Sequence, residues 1–337
     1  MRILYRLRPC FLGAILCSGA FLYAGRRPPD IRAYVLVLGG IRNTDCISGR
    51  GVDNYPNLNK EILPRGYIFK KLLSENYQFH MPSSQAINYG FAFKCYPERD
   101  TEYPSLLQYM MIEYQLPKEK VLGISHWANN VIAKSASGLP VPGCFPYDFN
   151  SMDLALASER EKALREDYDK ITDVYKQFEF KIFTWPHWDI NCRRIYELAV
   201  SLFGRYKPDF VHYIMQLPEI AHFGAFAPYI ISLRENDVQI RNIWDMIHED
   251  PYYRGRTYLV ICPDHSRDRN YEAHSESFFD APEYTWLYIY GPGVEKGINE
   301  ETVVYHKDIF ATMSALLDLN VHQNDGRDLS GYFLKKK

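Results

Sequence analysis

Acid and imidazole groups gather at two places in this sequence. The stretch TYLVICPDHSRDRNYEAH, which begins at Thr257, carries Asp264 and His265 directly after a continuous apolar run, with His274 further on. The earlier stretch PDFVHYIMQLPEIAHFG carries Glu219 and His222 after a second such run, Phe210 to Met215. Runs of this kind read as buried strands, and a strand end fixes the backbone while the loop after it presents side chains. Carboxylate oxygen and neutral imidazole nitrogen are donors for a divalent ion, so the two loops are candidate halves of a metal site. They converge only if their strands lie close together in one sheet, as consecutive strands joined by a crossover helix usually do.

The elements that must position these groups alternate between strand and helix. Tyr34 to Leu38 is a short apolar run closed by Gly39-Gly40, which predicts a strand buried on both faces. Asn57 to Leu73 carries a helical pattern through Leu58, Ile62, Ile68 and Leu72, interrupted by Pro64 and Gly66. Tyr103 to Tyr114, Ile190 to Leu202 and Tyr229 to Ile247 predict helices; Val121 to Ile124, Phe180 to Thr184 and Trp286 to Tyr290 predict strands. Pro140 to Pro146 reads as a loop, and Ser151 opens a long polar helix to Phe178. The alternation predicts a three-layer α/β/α sandwich around a mainly parallel sheet.

Composition sets the outer limits. The chain has 337 residues, 47% of them hydrophobic, enough for a sizeable core, and its net charge of −2 gives no electrostatic basis for nucleic-acid binding. The first 29 residues stand apart: Arg2, Arg6 and Arg8 precede an apolar run from Cys10 to Gly25, and Arg26-Arg27 ends it. That pattern is a secretory signal or an uncleaved membrane anchor, and either one predicts an exported body. Residues 30–337 then form the folded domain. Its cysteines, Cys46, Cys95, Cys144, Cys192 and Cys262, show no CxxC pair or zinc-finger spacing, and Cys262 on its strand reads as packing.

Taken in order, the motifs resemble the alkaline phosphatase superfamily, which includes the sulfatases, nucleotide pyrophosphatases and related phosphodiesterases. VLVLGGIR is similar to the family's opening strand, YPNLNKEILPRG to its TPNLD segment, and HMPSSQAINYG to its nucleophile stretch. PDFVHYIMQLPEIAHFG is similar to its acid-and-histidine loop, CPDHS to its SDHG motif, and KDIFATMSALLDLNVHQNDGRDLSGYF to its closing segment. The similarity runs from Tyr34 to Phe333 and implies a single alkaline-phosphatase-like domain. It implies two divalent ions, usually zinc, at which a hydroxyl or modified cysteine attacks phosphorus or sulfur. Carried over residue by residue, Asp264 and His265 match the pair on one ion, and His222 and His274 match the two histidines on the other.

The departures lie in the other half of the site. Gly39 stands where the family places its first metal-binding aspartate, Pro218 where it places the loop acid, and His80 where it places the nucleophile. Glu219 and Asp45 are possible substitute ligands, Ser83 or Ser84 a substitute hydroxyl, and His80 itself a ligand or a nucleophile. With few carboxylates to neutralise two divalent ions, one ion or none is expected rather than two, zinc being the metal the resemblance implies. The expected function is an exported, metal-dependent hydrolase of a phosphate or sulfate ester on a small molecule or glycan. A phosphoethanolamine-type transferase is a further option. The alternative is a catalytically inactive surface protein that binds an anionic glycan or a protein partner through the altered cleft.

Overall fold

The computed structural model describes residues 30–74, 80–92, 103–125, 143–145, 185–224, 226–268, 284–321 and 323–335. The sheet is built outward from β1 (Arg32–Leu38), buried over all but its first residue. Its alternate residues feed two separate cores, Tyr34, Leu36 and Leu38 on one side and Ala33, Val35 and Val37 on the other. That is why the run is apolar throughout: side chains alternate between faces, and both faces are covered.

Parallel to β1 on either side run β5 (Phe210–Met215) and β6 (Thr257–Pro263), with Val35 opposite both His212 and Val260. Beyond β5 lie β3 (Val121–Ile124) and β4 (Gly143–Phe145). Beyond β6 lie β7 (Thr285–Tyr290), β2 (Tyr67–Leu73) and β8 (Gly297–Tyr305). The order is β4-β3-β5-β1-β6-β7-β2-β8, and β7 alone runs antiparallel to its neighbours.

Helices cover both faces. The face of Tyr34 and Leu36 packs against α3 (Trp185–Tyr206) and α4 (Phe226–Glu249), through residues such as Phe203, Leu233, Ile240 and Trp244. The face of Val35 and Val37 packs against α1 (His80–Tyr89), α2 (Leu106–Tyr114) and α5 (His306–Leu316), through Ile87, Met110, Phe310 and Met313. The start of α2 is set locally by a capping box, in which Ser105 and Gln108 satisfy each other's backbone N–H groups. The result is the α/β/α sandwich that the alternation predicts.

Two expectations need correction. The helical pattern over Asn57–Leu73 resolves into short helical turns at Leu58–Ile62 and Leu63–Arg65, followed by strand β2. Gly66 causes the switch: it is extended, and a Cβ there would stand 2.4 Å from the Ile289 carbonyl oxygen of β7. Gly143–Phe145, within the expected loop, pairs with β3 as an edge strand. Consecutive β5 and β6 flank β1, close enough for their end loops to meet, as the expectation requires. The expected helix from Ser151, the strand from Phe180 and the N-terminal apolar run lie outside the described residues. No helix among the described residues is long and apolar enough to cross a membrane. Cys46, Cys192 and Cys262 are buried free thiols, as packing residues would be.

Candidate functional site

Backbone bonds tie the carboxyl ends of β5, β1 and β6 together. Gly39 N donates to Met215 O (3.0 Å), Asp264 N to Leu38 O (3.1 Å), and Ile41 N to His265 O (3.2 Å). The loop after β5 is a 3-10 helix, Leu217–Phe223, ended by Gly224 at φ 71°. Glu219 therefore reaches across the end of β1, over the space that Gly39 and Gly40 leave. A Cβ on Gly39 would lie 3.3 Å from Glu219 Oε1, and one on Gly40 only 2.5 Å away.

Asp264 is fully buried and its carboxylate is fixed from three directions. Oδ1 accepts from the backbone N–H groups of Gly40 and His265, each at 2.8 Å, and Oδ2 lies 2.5 Å from His80 Nδ1. His80 opens α1 and is itself buried. On its other side, His80 Nε2 stands 3.0 Å from Glu219 Oε2, which is also 2.8 Å from His222 Nε2. His265 donates from Nδ1 to Ser266 O at 2.7 Å, and its Nε2 lies 3.2 Å from His80 Nδ1.

This packing controls ionisation. Burial opposes charge on His80, but Glu219 and Asp264 outweigh it and push the imidazolium pKa up to about 10. Burial likewise opposes the charged form of Asp264, but the His265 and His80 imidazoles overcome it and lower the carboxyl to about 2. His212, on the face of β5 next to Asn88, is a contrasting case. Burial alone lowers its pKa to about 3, and Nδ1 is 2.7 Å from Asn88 Oδ1.

The remaining candidates separate clearly. Asp45 holds Arg42 in a bidentate pair (2.6 and 2.8 Å) and accepts from Tyr229 Oη at 2.7 Å, so its carboxylate is committed away from the cluster. Ser83 Oγ bonds Ser74 Oγ at 3.4 Å, and buried Ser84 Oγ has no hydrogen-bond partner among the described residues, so neither hydroxyl is bonded to the cluster. His306 bonds Pro263 O at 2.8 Å and supports the end of β6, while His248 bonds Trp244 O. His274 lies outside the described residues.

One residue escapes the sequence reading altogether. Arg267 has no solvent exposure, and its Nη2 is 2.5 Å from Glu219 Oε1. It also donates through Nε to Gly40 O, and its guanidinium stands 5.8 Å from the Tyr229 ring centre. The available signal was a basic residue in the same short turn as Asp264 and His265, in the run Asp-His-Ser-Arg.

The fold has known counterparts. The chain superposes on a protein in the alkaline phosphatase superfamily from Vibrio parahaemolyticus with TM-score 0.58 and 12% identity, covering 91% of this chain and 71% of that one. This chain has the alkaline phosphatase superfamily fold. A phosphonate monoester hydrolase of Agrobacterium radiobacter gives TM-score 0.58 at 13% identity, over 91% of this chain and 77% of the hydrolase. A 2-O GAG sulfatase gives TM-score 0.61 at 11% identity, over 93% and 75%. No protein-family model matches the chain, and no curated protein sequence matches it.

Within the alkaline-phosphatase-like fold, one divalent ion suits the residues present. Single donor atoms of His80, Glu219 and His265 lie within 4.8 Å of one another, all on buried residues. Each has its second polar atom anchored: His80 Nδ1 by Asp264, His265 Nδ1 by Ser266 O, and Glu219 Oε1 by Arg267. Such outer partners orient imidazole and carboxylate toward a metal. A two-ion site does not suit them, because Gly39 brings no carboxylate and the Glu219 side chain crowds its space.

Proposed function

We propose that this chain is an exported hydrolase of a phosphate or sulfate ester, working with one divalent ion, zinc by donor type, held by His80, Glu219 and His265. The observation that carries this reading is the convergence of those three donors at the joined ends of β5, β1 and β6. The ion would supply Lewis-acid polarisation of a phosphoryl or sulfuryl oxygen. The protein's own part is orientation. Asp264 holds the Nδ1–H of His80 and so directs Nε2 toward Glu219, while the Ser266 carbonyl fixes the His265 ring with its Nε2 beside His80. His222, one-third exposed beside Glu219, is placed to meet a ligand arriving from solvent. The substrate class is supported by the hydrolase and sulfatase among the structural counterparts, and export by the arginine-flanked apolar run at residues 10–25.

The test is metal content of the purified full chain together with turnover of an aryl phosphodiester, a phosphate monoester and an aryl sulfate. One bound ion is expected, with turnover of one ester class and loss of both in His265→Ala. Zinc-loaded protein that retains no ion and cleaves none of the three overturns the reading.

A second reading is favoured by the placement of Ser83 and Ser84. With neither hydroxyl bonded to the cluster and His80 at the nucleophile position, the cleft would bind an anionic glycan or a protein partner without turnover. Ligand retention that is unchanged by a chelator, with no ester cleaved, selects it.

A further inference from the structure

We propose that Arg267 is the permanent second cation of this site, occupying by its charge the role a second divalent ion would have and holding the cluster to one ion. The inference rests on reading the cluster as a metal site. Burying a guanidinium completely is costly unless charge and hydrogen bonds compensate it, and here both do. Nη2 lies 2.5 Å from Glu219 Oε1, Nε bonds Gly40 O, and the Tyr229 ring flanks the group. Its position is informative: a Cβ on Gly39, the missing ligand position, would stand 3.3 Å from Glu219 Oε1, the oxygen Arg267 holds, and one on the adjacent Gly40 would stand 2.7 Å from Nη2 itself.

Charge points the same way. Among the described residues, Asp264 and Glu219 are the carboxylates of the cluster, and one divalent ion together with Arg267 already exceeds them by one positive charge. A second ion would raise that excess to three in a buried site, where like charges repel strongly. The single remaining positive charge suits an ester anion. Arg267 acts through Glu219 and is a positioning residue: it fixes Oε1 and leaves Oε2 facing His80 and His222.

The experiment is native mass spectrometry of the full chain at saturating zinc, with circular dichroism to confirm folding. The double variant Gly39→Asp/Arg267→Met is expected to hold one ion more than wild type, whatever the wild-type number. Gly39→Asp alone and Arg267→Lys are expected to keep the wild-type number. A wild-type chain with no ion overturns the metal reading under Proposed function, while the increment still tests Arg267. A wild-type chain that takes two ions, or a folded double variant with no added ion, overturns the role of Arg267. If the double variant does not fold, zinc titration of the single variants decides. Arg267→Met is expected to bind zinc at least tenfold more tightly than Arg267→Lys. Equal or weaker binding by Arg267→Met shows that Arg267 only braces the structure and rejects the proposal.

Discussion

His80 Nδ1 and Asp264 Oδ2 stand 2.5 Å apart although 184 positions separate the two residues in the chain. The contact joins the first residue of a helix on one face of the sheet to the loop at the end of β6. With Glu219 on the far side of the ring, the imidazolium is a cation between two buried carboxylates. Its raised pKa has a definite consequence for the metal-free protein. A group whose pKa rises on folding contributes fully below its unfolded value and loses that contribution as pH climbs through its folded value. Stability should therefore fall between about pH 6.5 and pH 10, by on the order of 5 kcal/mol. Urea titrations at several pH values check this, and His80→Gln should flatten the profile. An unchanged slope in the variant would assign the effect to other groups.

The same proton competes with metal. A divalent ion must displace it from His80, so the apparent zinc Kd should tighten by about tenfold per pH unit until pH approaches 10. Calorimetry in buffers of different ionisation enthalpy should find about one proton released per ion at pH 8. A Kd that is constant from pH 7 to 9 would exclude His80 as the titrating ligand.

Gly40 adopts φ 47°, and a Cβ there would stand 2.5 Å from Glu219 Oε1, 2.7 Å from Arg267 Nη2 and 2.8 Å from His265 Cε1. Gly40→Ala should therefore cost about 1–2 kcal/mol of stability in left-handed backbone strain and in addition displace site side chains, weakening metal binding. Gly255→Ala is the control: φ is 71°, nothing lies within 4 Å of its Cβ, and only the backbone effect is expected. Thermal melts with and without zinc separate the two. Equal losses in both variants would mean that Gly40 is no part of the site.

Asp45 is expected to be structural. Asp45→Asn removes the charge that holds Arg42 and Tyr229, both largely buried, and should cost about 2–3 kcal/mol of stability. The number of bound ions should not change. Loss of the ion at full folding would place Asp45 among the ligands instead.

Much of the framework is legible in local sequence. β1, β5 and β6 announce themselves as apolar runs because both faces of each are covered. Asp264, His265, Glu219 and His222 follow from their positions just past two of those runs. The misassigned stretch is Asn57–Leu73, where Ile68 and Leu72 fit a helical spacing as well as a strand. Gly66 decides between them by allowing close approach to β7, a partner that lies more than 200 residues away in the chain.

By itself, then, the sequence determined strands β1, β3, β5, β6 and β7, helices α2, α3 and α4, and the loops that carry acid and imidazole groups, since periodicity and the position of a polar residue at a strand end are local properties. Only the tertiary structure decided which groups meet. It placed β1 between β5 and β6, turned Asp45 toward Arg42, set His80 between Asp264 and Glu219, and buried Arg267 against Glu219. Those outcomes depend on sheet order and on charge compensation among side chains from distant segments, and neither is encoded in the spacing of neighbouring residues.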